Sequence, residues 1–284
     1  MATVFAAAED KFLATLLDDI HHNRLTLPTL PEIALKVRNM VDDPHTSSSQ
    51  IAKVITSDPA LTVRLIQVAN SAMLRGRAPV DNVQMAVARM GGKLVRNLVI
   101  GLVMQQLYQA RSPVTRKLLK DVWQHSTQVA AISYALAAHF TRIKPEEALL
   151  AGLIHDIGAL PILTRVEKYP ELLQDESALL DVVRRMHCEV GKVILQEWGF
   201  TPELVAAAAE HETLQRRPDK PADCADVVLA ANLQSHIGTD HPHTHLDWNA
   251  IPAFAKLGIS TDVSVVSMED TAEQVQEMQR LLTG

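Results

Sequence analysis

Apolar residues recur at three- and four-residue intervals along almost the whole chain, the pattern of helices that each bury one face. In "EDKFLATLLDDI", Phe12, Leu13, Leu16, Leu17 and Ile20 fall on one such face. "LPTLP" follows, and Pro31 suits the first turn of a helix running to about Val41. "SSSQIAKVITSDPALTVRLIQVANSAML" reads as two helices divided at Asp58-Pro59, where Asp58 is a good N-cap and Pro59 a good first residue. Two more are expected in "DNVQMAVARMGGKLVRNLVIGLVMQQLY", interrupted at Gly91-Gly92. In the second half the same pattern predicts helices over 118–140, 146–157, 178–198, 202–212 and 222–237. The start at Thr201-Pro202-Glu203 is marked by a cap, a first-turn proline and an acidic residue. Strand-like alternation bounded by hairpin turns is absent, so the expected fold class is all-α.

Composition limits what fills that fold. Hydrophobic residues make up 47% of the 284 residues and aromatic residues only 4%, so Leu, Val, Ile and Ala must form the core. The apolar runs fall short of the roughly 18 residues that span a bilayer. "MATVFAAAEDKF" has neither a basic start nor a long apolar segment, so no signal peptide and no membrane association are expected. Cys188 and Cys224 form no CxxC, which argues against a disulfide scaffold or a thiolate zinc site and for two reduced thiols in a cytoplasmic protein.

The net charge of −6 is uneven. Residues 1–121 carry 15 basic against 10 acidic side chains, and residues 122–284 carry 12 against 23. Arg64, Arg75, Arg77, Arg89, Lys93 and Arg96 lie in the most basic stretch and form a candidate binding face. A solvated helix surface is the favoured reading of that face. No aromatic residue interleaves the charges, so stacking on bases has no support and nucleic acid is a disfavoured partner.

Of the 12 histidines, four sit in apolar helical stretches. His125 lies in "VWQHSTQVAA", His155 beside Asp156 in "GLIHDIG", His187 in "RRMHCEVGKVI" and His211 in "AAAAEHE". His187 to Trp198 covers roughly 16 Å of helix and Pro202 to His211 roughly 14 Å, so an antiparallel pair brings both histidines to one level. Neighbours on a helix point about 100° apart, so His155 and Asp156 share one centre only where the helix presents its edge. Gly152 and Gly158, on either side of the pair, permit close backbone approach there. Imidazoles with a carboxylate suit a borderline divalent metal. A second group, His241, His243 and His245 in "DHPHTHLDW", reads as a solvated loop able to take up stray nickel or zinc. "MEDTAEQVQEMQRLL" beyond it predicts a final surface helix.

Taken in order, "LPTLPEIALKV", "SDPALTVRLIQVANSAM", Met90-Gly91, "WQHS", "GLIHDIG", "HCEVGKVILQEWGFTPELVAAAAEH" and "AANLQSHIG" resemble the HDOD family, the HD-related output domains, over about residues 25–240. The resemblance implies a compact multi-helix HD-like domain, related to HD and HD-GYP metal-dependent phosphohydrolases and found in bacterial signalling proteins, generally without demonstrated catalysis. It divides the chain into an N-terminal helix (1–24), an N-terminal helical lobe (25–117), an HD-like lobe (118–240) packed with it as one unit, and a loop with a helical tail (241–284). The composition shift near 112–121 marks the expected seam.

An HD hydrolase similar to this chain would bind metal through His125, His155, Asp156, His187 and His211, a further histidine after His211, and a final aspartate. Here Glu212 follows His211, and Asn232 stands where the closing aspartate would be. The loop that marks cyclic-di-GMP phosphodiesterases is missing, since "ETLQRRPDK" follows His211. Asp226, six residues before Asn232, should face elsewhere on its helix. A neutral amide weakens the hold on a cation, so the five residues are expected to be a vestigial site. No cofactor is expected beyond weakly bound Fe, Mn, Zn or Ni. The expected function is a non-catalytic signal-transduction module that acts on a protein partner or a small ligand such as a nucleotide second messenger, with metal-dependent phosphohydrolysis as the alternative. No receiver, kinase, GGDEF or EAL pattern appears in these residues, so its input is expected to arrive by non-covalent association.

Overall fold

The computed structural model describes residues 2–22, 24–74, 76, 78–217, 219–261, 264–265, 267 and 269–283. Among the described residues the chain forms α-helices joined by turns and short 3-10 segments, with no strand. Five helices precede the expected seam: α1 (Ala2–His21), α2 (Glu32–Asp42), α3 (Ser48–Thr56), α4 (Pro59–Ala69) and α5 (Val83–Met104). Then come α6 (Pro113–Phe140), α7 (Pro145–Ile154), α8 (Ala159–Val166), α9 (Glu176–Glu197), α10 (Pro202–Glu210) and α11 (Cys224–Ser235). The chain closes with α12 (Pro252–Leu257) and α13 (Glu269–Thr283).

The punctuation expected from the sequence is present. Asp58 caps α4 by accepting a hydrogen bond from Leu61 N at 3.0 Å, with Pro59 as the first helical residue. Ser47 and Gln50 form a reciprocal capping box at the start of α3. Gly91 breaks α5 with φ 77°, a left-handed conformation that glycine adopts without a Cβ penalty. Pro31 is the N-cap of α2, one position earlier than expected.

α2, α3 and α4 gather around α5, which in turn packs on α7. Around the long α6 lie α7, α11 and α13, and α9 pairs with α10. The largest buried cluster extends from Phe12 to Leu282 and draws on both halves of the chain. The "LPTLP" block ties the halves together: Trp198 at the end of α9 donates its indole N–H to Pro28 O at 2.9 Å, and Arg38 donates to Trp198 O at 2.6 Å. α1 packs on α9, with Phe12 edge-on to Tyr169 at 5.0 Å and Asp19 paired with Arg165.

Three expectations change. The segment 146–157 is not one helix, because α7 ends at Ile154 and a turn leads into α8, which the periodicity missed. Pro161 falls in the first turn of α8, where its missing N–H removes no helical bond. Pro145–Val166 taken together is long and apolar enough to cross a bilayer, yet 83% of that window is buried in the protein interior. The final helix α13 is not a surface helix: Val275, Met278 and Leu282 are buried, and it packs on α6 and α4. Arg64 donates to Leu282 O at 2.9 Å and Gln105 to Thr283 O at 2.5 Å, fixing its last turn.

Candidate metal centre

The five expected ligands arrive from four places in the fold. His125 comes from the middle of α6, His155 and Asp156 from the turn after α7, His187 from α9, and His211 from the end of α10. Two glycines let these backbones meet. A methyl group at Gly152 would lie 2.8 Å from Ala130 Cα in α6, and one at Gly158 would overlap the His187 carbonyl oxygen in α9. His155, the C-cap of α7, keeps helical backbone angles (φ −58°, ψ −37°), so it and Asp156 reach the centre from the edge of the helix end.

Backbone carbonyls orient three of the imidazoles. His155 Nδ1 lies 2.6 Å from Gly152 O, His187 Nδ1 2.9 Å from Val183 O, and His211 Nδ1 3.1 Å from both Ala207 O and Ala208 O. A carbonyl only accepts, so each Nδ1 carries a proton and each Nε2 is the ring atom turned to the centre. There the carboxylate of Asp156 divides them. Oδ2 lies 3.4 Å from His155 Nε2 and 3.8 Å from His125 Nε2, while Oδ1 lies 3.4 Å from His187 Nε2 and 3.3 Å from His211 Nε2.

The donor set fits a divalent cation. His187 Nε2 and His211 Nε2 face each other at 3.1 Å, and His125 Nε2 and His155 Nε2 at 3.3 Å. Two lone pairs at that distance repel unless a proton or a metal ion lies between them. A tetrahedral ion bound at 2.0–2.1 Å sets its ligands about 3.3–3.4 Å apart, close to the spacings found here. Burial pushes His155 down to about 3 and lowers His125, leaving both neutral. Burial also opposes charge on His187, but its hydrogen bond to Cys188 and the Asp156 carboxylate raise it to about 9. His211 is raised too, by Asp156 against burial. Burial disfavours a charged Asp156, yet the surrounding histidines hold its carboxyl well below the usual range.

Asn232 lies on α11 at the edge of this cluster, facing His125. Its Nδ2 donates to Glu212 Oε1 at 3.1 Å, and its buried Oδ1 has no hydrogen-bond partner. Asp226 does face elsewhere: it is fully buried, paired with Arg216 at 2.8 Å and Lys256 at 2.7 Å. Arg216 also binds Glu210 and Asp223, so replacing it strands several carboxylates. Arg216→Leu is expected to lower stability by about 3–5 kcal/mol in urea denaturation. A loss under about 1 kcal/mol would mean that the carboxylates find other partners. Asp223, raised by burial but lowered overall by Arg216, contributes stability above its ordinary carboxylate range and loses it as pH falls.

The second histidine group is not a solvated loop. His241 stacks on His236 with centroids 3.7 Å apart, and His236 stacks on His125 at 5.4 Å. His243 reaches Glu212, with Nε2 3.6 Å from Oε2. Ring contacts with His236 and the carboxylate of Glu212 hold His241 and His243 half-buried, and only His245 of the three stays exposed. Cys188, read from the sequence as an ordinary thiol, lies 3.4 Å from His187 Nε2. Its adjacency to His187 was the only signal available.

Among the described residues of the basic stretch, three arginines are engaged within the fold. Arg64 is turned inward to Leu102 O and Gln105 as well as Leu282, Arg89 donates to Ala78 O, and Arg96 pairs with Asp42 at 2.8 Å. Lys93 is exposed, and Arg75 and Arg77 lie outside the described residues.

Comparison with known proteins agrees with this architecture. A protein from Shewanella amazonensis SB2B, provisionally named a metal-dependent phosphohydrolase, superimposes with a TM-score of 0.85 at 27% identity, covering 97% of this chain and 99% of that one. An HDOD domain protein of unknown function from Geobacter sulfurreducens gives a TM-score of 0.70 at 22% identity, covering 96% and 97% of the two chains. An uncharacterized protein of Treponema pallidum (strain Nichols) is 24% identical over 238 residues, 78% of this chain. The match spans only 43% of the Treponema protein. The sequence model of the HDOD domain matches residues 27–214, a span that holds all five histidine and aspartate ligands and ends before α11. The chain belongs to the HDOD domain family.

Proposed function

We propose that the chain is a non-catalytic regulatory module for signal transduction, which binds a protein or a small ligand and uses its HD-type pocket as a metal-holding centre. The observation that carries this reading is Asn232, a neutral amide bonded to Glu212 at the edge where a closing carboxylate would complete the donor set. The stack of His236 and His241 on His125 supports it, because it crowds the more open side of the pocket.

His125, His155 and Asp156 Oδ2 would hold a cation on one side, and His187, His211 and Asp156 Oδ1 on the other. A bound cation supplies positive charge that relieves the repulsion between facing Nε2 lone pairs and, at an open position, polarises water or a phosphate oxygen. The protein's own part is to fix the imidazole tautomers through backbone carbonyls and to keep Asp156 ionised between them.

The second reading, metal-dependent phosphohydrolysis of a nucleotide or cyclic dinucleotide, draws on the convergent ligands and on the likeness to the Shewanella protein. An assay decides between them. With Mn²⁺ or Fe²⁺ supplied, turnover of bis(p-nitrophenyl) phosphate, nucleotides and cyclic dinucleotides is expected to equal that of Asp156→Ala. Metal-dependent hydrolysis by the unmodified protein that Asp156→Ala abolishes would overturn the non-catalytic reading.

A further inference from the structure

We infer that Cys188 is the fourth ligand of the cation position formed by His187, His211 and Asp156, making that half of the pocket a closed tetrahedral site selective for Zn²⁺-like ions. The inference rests on the metal-holding role proposed above and deepens it by naming the donor set and the class of ion.

The geometry carries it. Cys188 Sγ is 3.4 Å from His187 Nε2, and the ligand atoms of Cys188, His187 and His211 all lie within 4.8 Å of one another. His187 Nε2, His211 Nε2 and Asp156 Oδ1 are separated by 3.1, 3.4 and 3.3 Å. A thiolate bound at about 2.3 Å and an imidazole at about 2.0 Å stand roughly 3.5 Å apart around a tetrahedral ion. His187, His211 and Asp156 are therefore already at tetrahedral spacing, and Cys188 Sγ, beside His187 Nε2, closes the set by a side-chain rotation toward Asp156.

The two halves of the pocket then differ in kind. His125, His155 and Asp156 Oδ2 make a three-donor group beside the neutral Asn232, whereas in the other half Cys188 adds a fourth donor to His187, His211 and Asp156 Oδ1. Sites with four protein ligands are structural, while catalytic sites leave a position for water. A thiolate also restores to the pocket an anionic ligand, which Asn232 does not supply. Binding breaks the Cys188 S–H bond, forms a sulfur–metal bond and releases one proton to solvent, with no change in oxidation state. Thiolate with imidazole favours Zn²⁺ and Co²⁺ over Mn²⁺ and Mg²⁺. The other thiol serves as a control: Cys224 is buried at the start of α11, next to the capping Asp223, and burial pushes it up to about 12.

The test is a Co²⁺ titration of the reduced, metal-free, untagged full chain, followed by absorption. A thiolate-to-cobalt charge-transfer band in the near ultraviolet is expected in the unmodified protein and in Cys224→Ser, and is expected to vanish in Cys188→Ser. Competition should place Zn²⁺ well ahead of Mn²⁺, with Zn²⁺ affinity about tenfold or more weaker in Cys188→Ser. Cys188 is partly exposed, so metal-free Cys188→Ser should melt as the parent does. A band that survives in Cys188→Ser overturns the inference, as does cobalt binding without a thiolate band or no cobalt binding at all. The hydrolysis assay reads the broader function separately: turnover with the band present sinks the non-catalytic reading alone, and absence of both sinks only the ligand assignment.

Discussion

Asp156→Ala is expected to strip divalent metal from both halves of the pocket at once, lowering affinity by more than about 100-fold. No other carboxylate is shared by the four histidines: Oδ2 serves His125 and His155, and Oδ1 serves His187 and His211. Without it, the ion on the His125 side faces only imidazoles and the amide of Asn232, and the ion on the His187 side keeps two imidazoles and Cys188 but loses the oxygen that joins them. Glu212 Oε1 is 3.8 Å from His211 and already bonded to Asn232. The effect also appears in stability. At a metal concentration about 100 times Kd, the parent should gain about 2.7 kcal/mol on binding. The variant should gain nothing measurable. Elemental analysis of dialysed protein and thermal melts with and without Zn²⁺ give the two readings. Full metal content in Asp156→Ala would show that the carboxylate is not the shared ligand.

Gly158→Ala is expected to damage stability and the centre together. Its φ of −66° suits any residue, so no conformational penalty is involved. The whole effect is steric. A methyl group there would overlap the His187 carbonyl oxygen, and it would lie 2.5 Å from Gly191 N and 2.8 Å from the His187 carbonyl carbon. These are backbone atoms of α9, which cannot swing aside as a side chain does. The turn bearing Asp156 must move away from α9, carrying Asp156 and His187 apart. A loss of about 3 kcal/mol or more is expected, at or beyond the upper end for overpacking, with a parallel fall in metal affinity. Gly92→Ala is the contrast, because its new methyl would meet only the Val41 side chain at 3.4 Å. Near-parental stability and metal binding in Gly158→Ala would show that α8 and α9 separate at little expense.

Much of the centre was legible before any fold was known. Helical spacing placed His187 and His211 at one level on an antiparallel pair, and the glycines flanking His155 marked where backbones would touch. Such inferences succeed because helix rise and the volume of a missing Cβ are local, fixed quantities. The turn at 155–158 escaped notice because His155 and Gly158 at its two ends keep helical backbone angles, so the helical spacing runs on past Ile154 and into α8. The burial of α13 escaped too. Its apolar stripe is as consistent with a surface helix as with one packed on α6, and only the partner decides.

The sequence alone determined the helical class, the helix starts at Asp58 and Thr201, and the roster of His125, His155, Asp156, His187 and His211. These follow from periodicity, capping chemistry and residue type, which act over a few residues. The tertiary structure alone decided that one carboxylate divides its two oxygens between two histidine pairs, that Cys188 Sγ lies beside His187 Nε2, and that His236 stacks on His125 and His241 on His236. Those arrangements depend on the relative positions of α6, α7, α9, α10 and α11 to within about an ångström. Packing across the whole core sets those positions, and no window of sequence contains it.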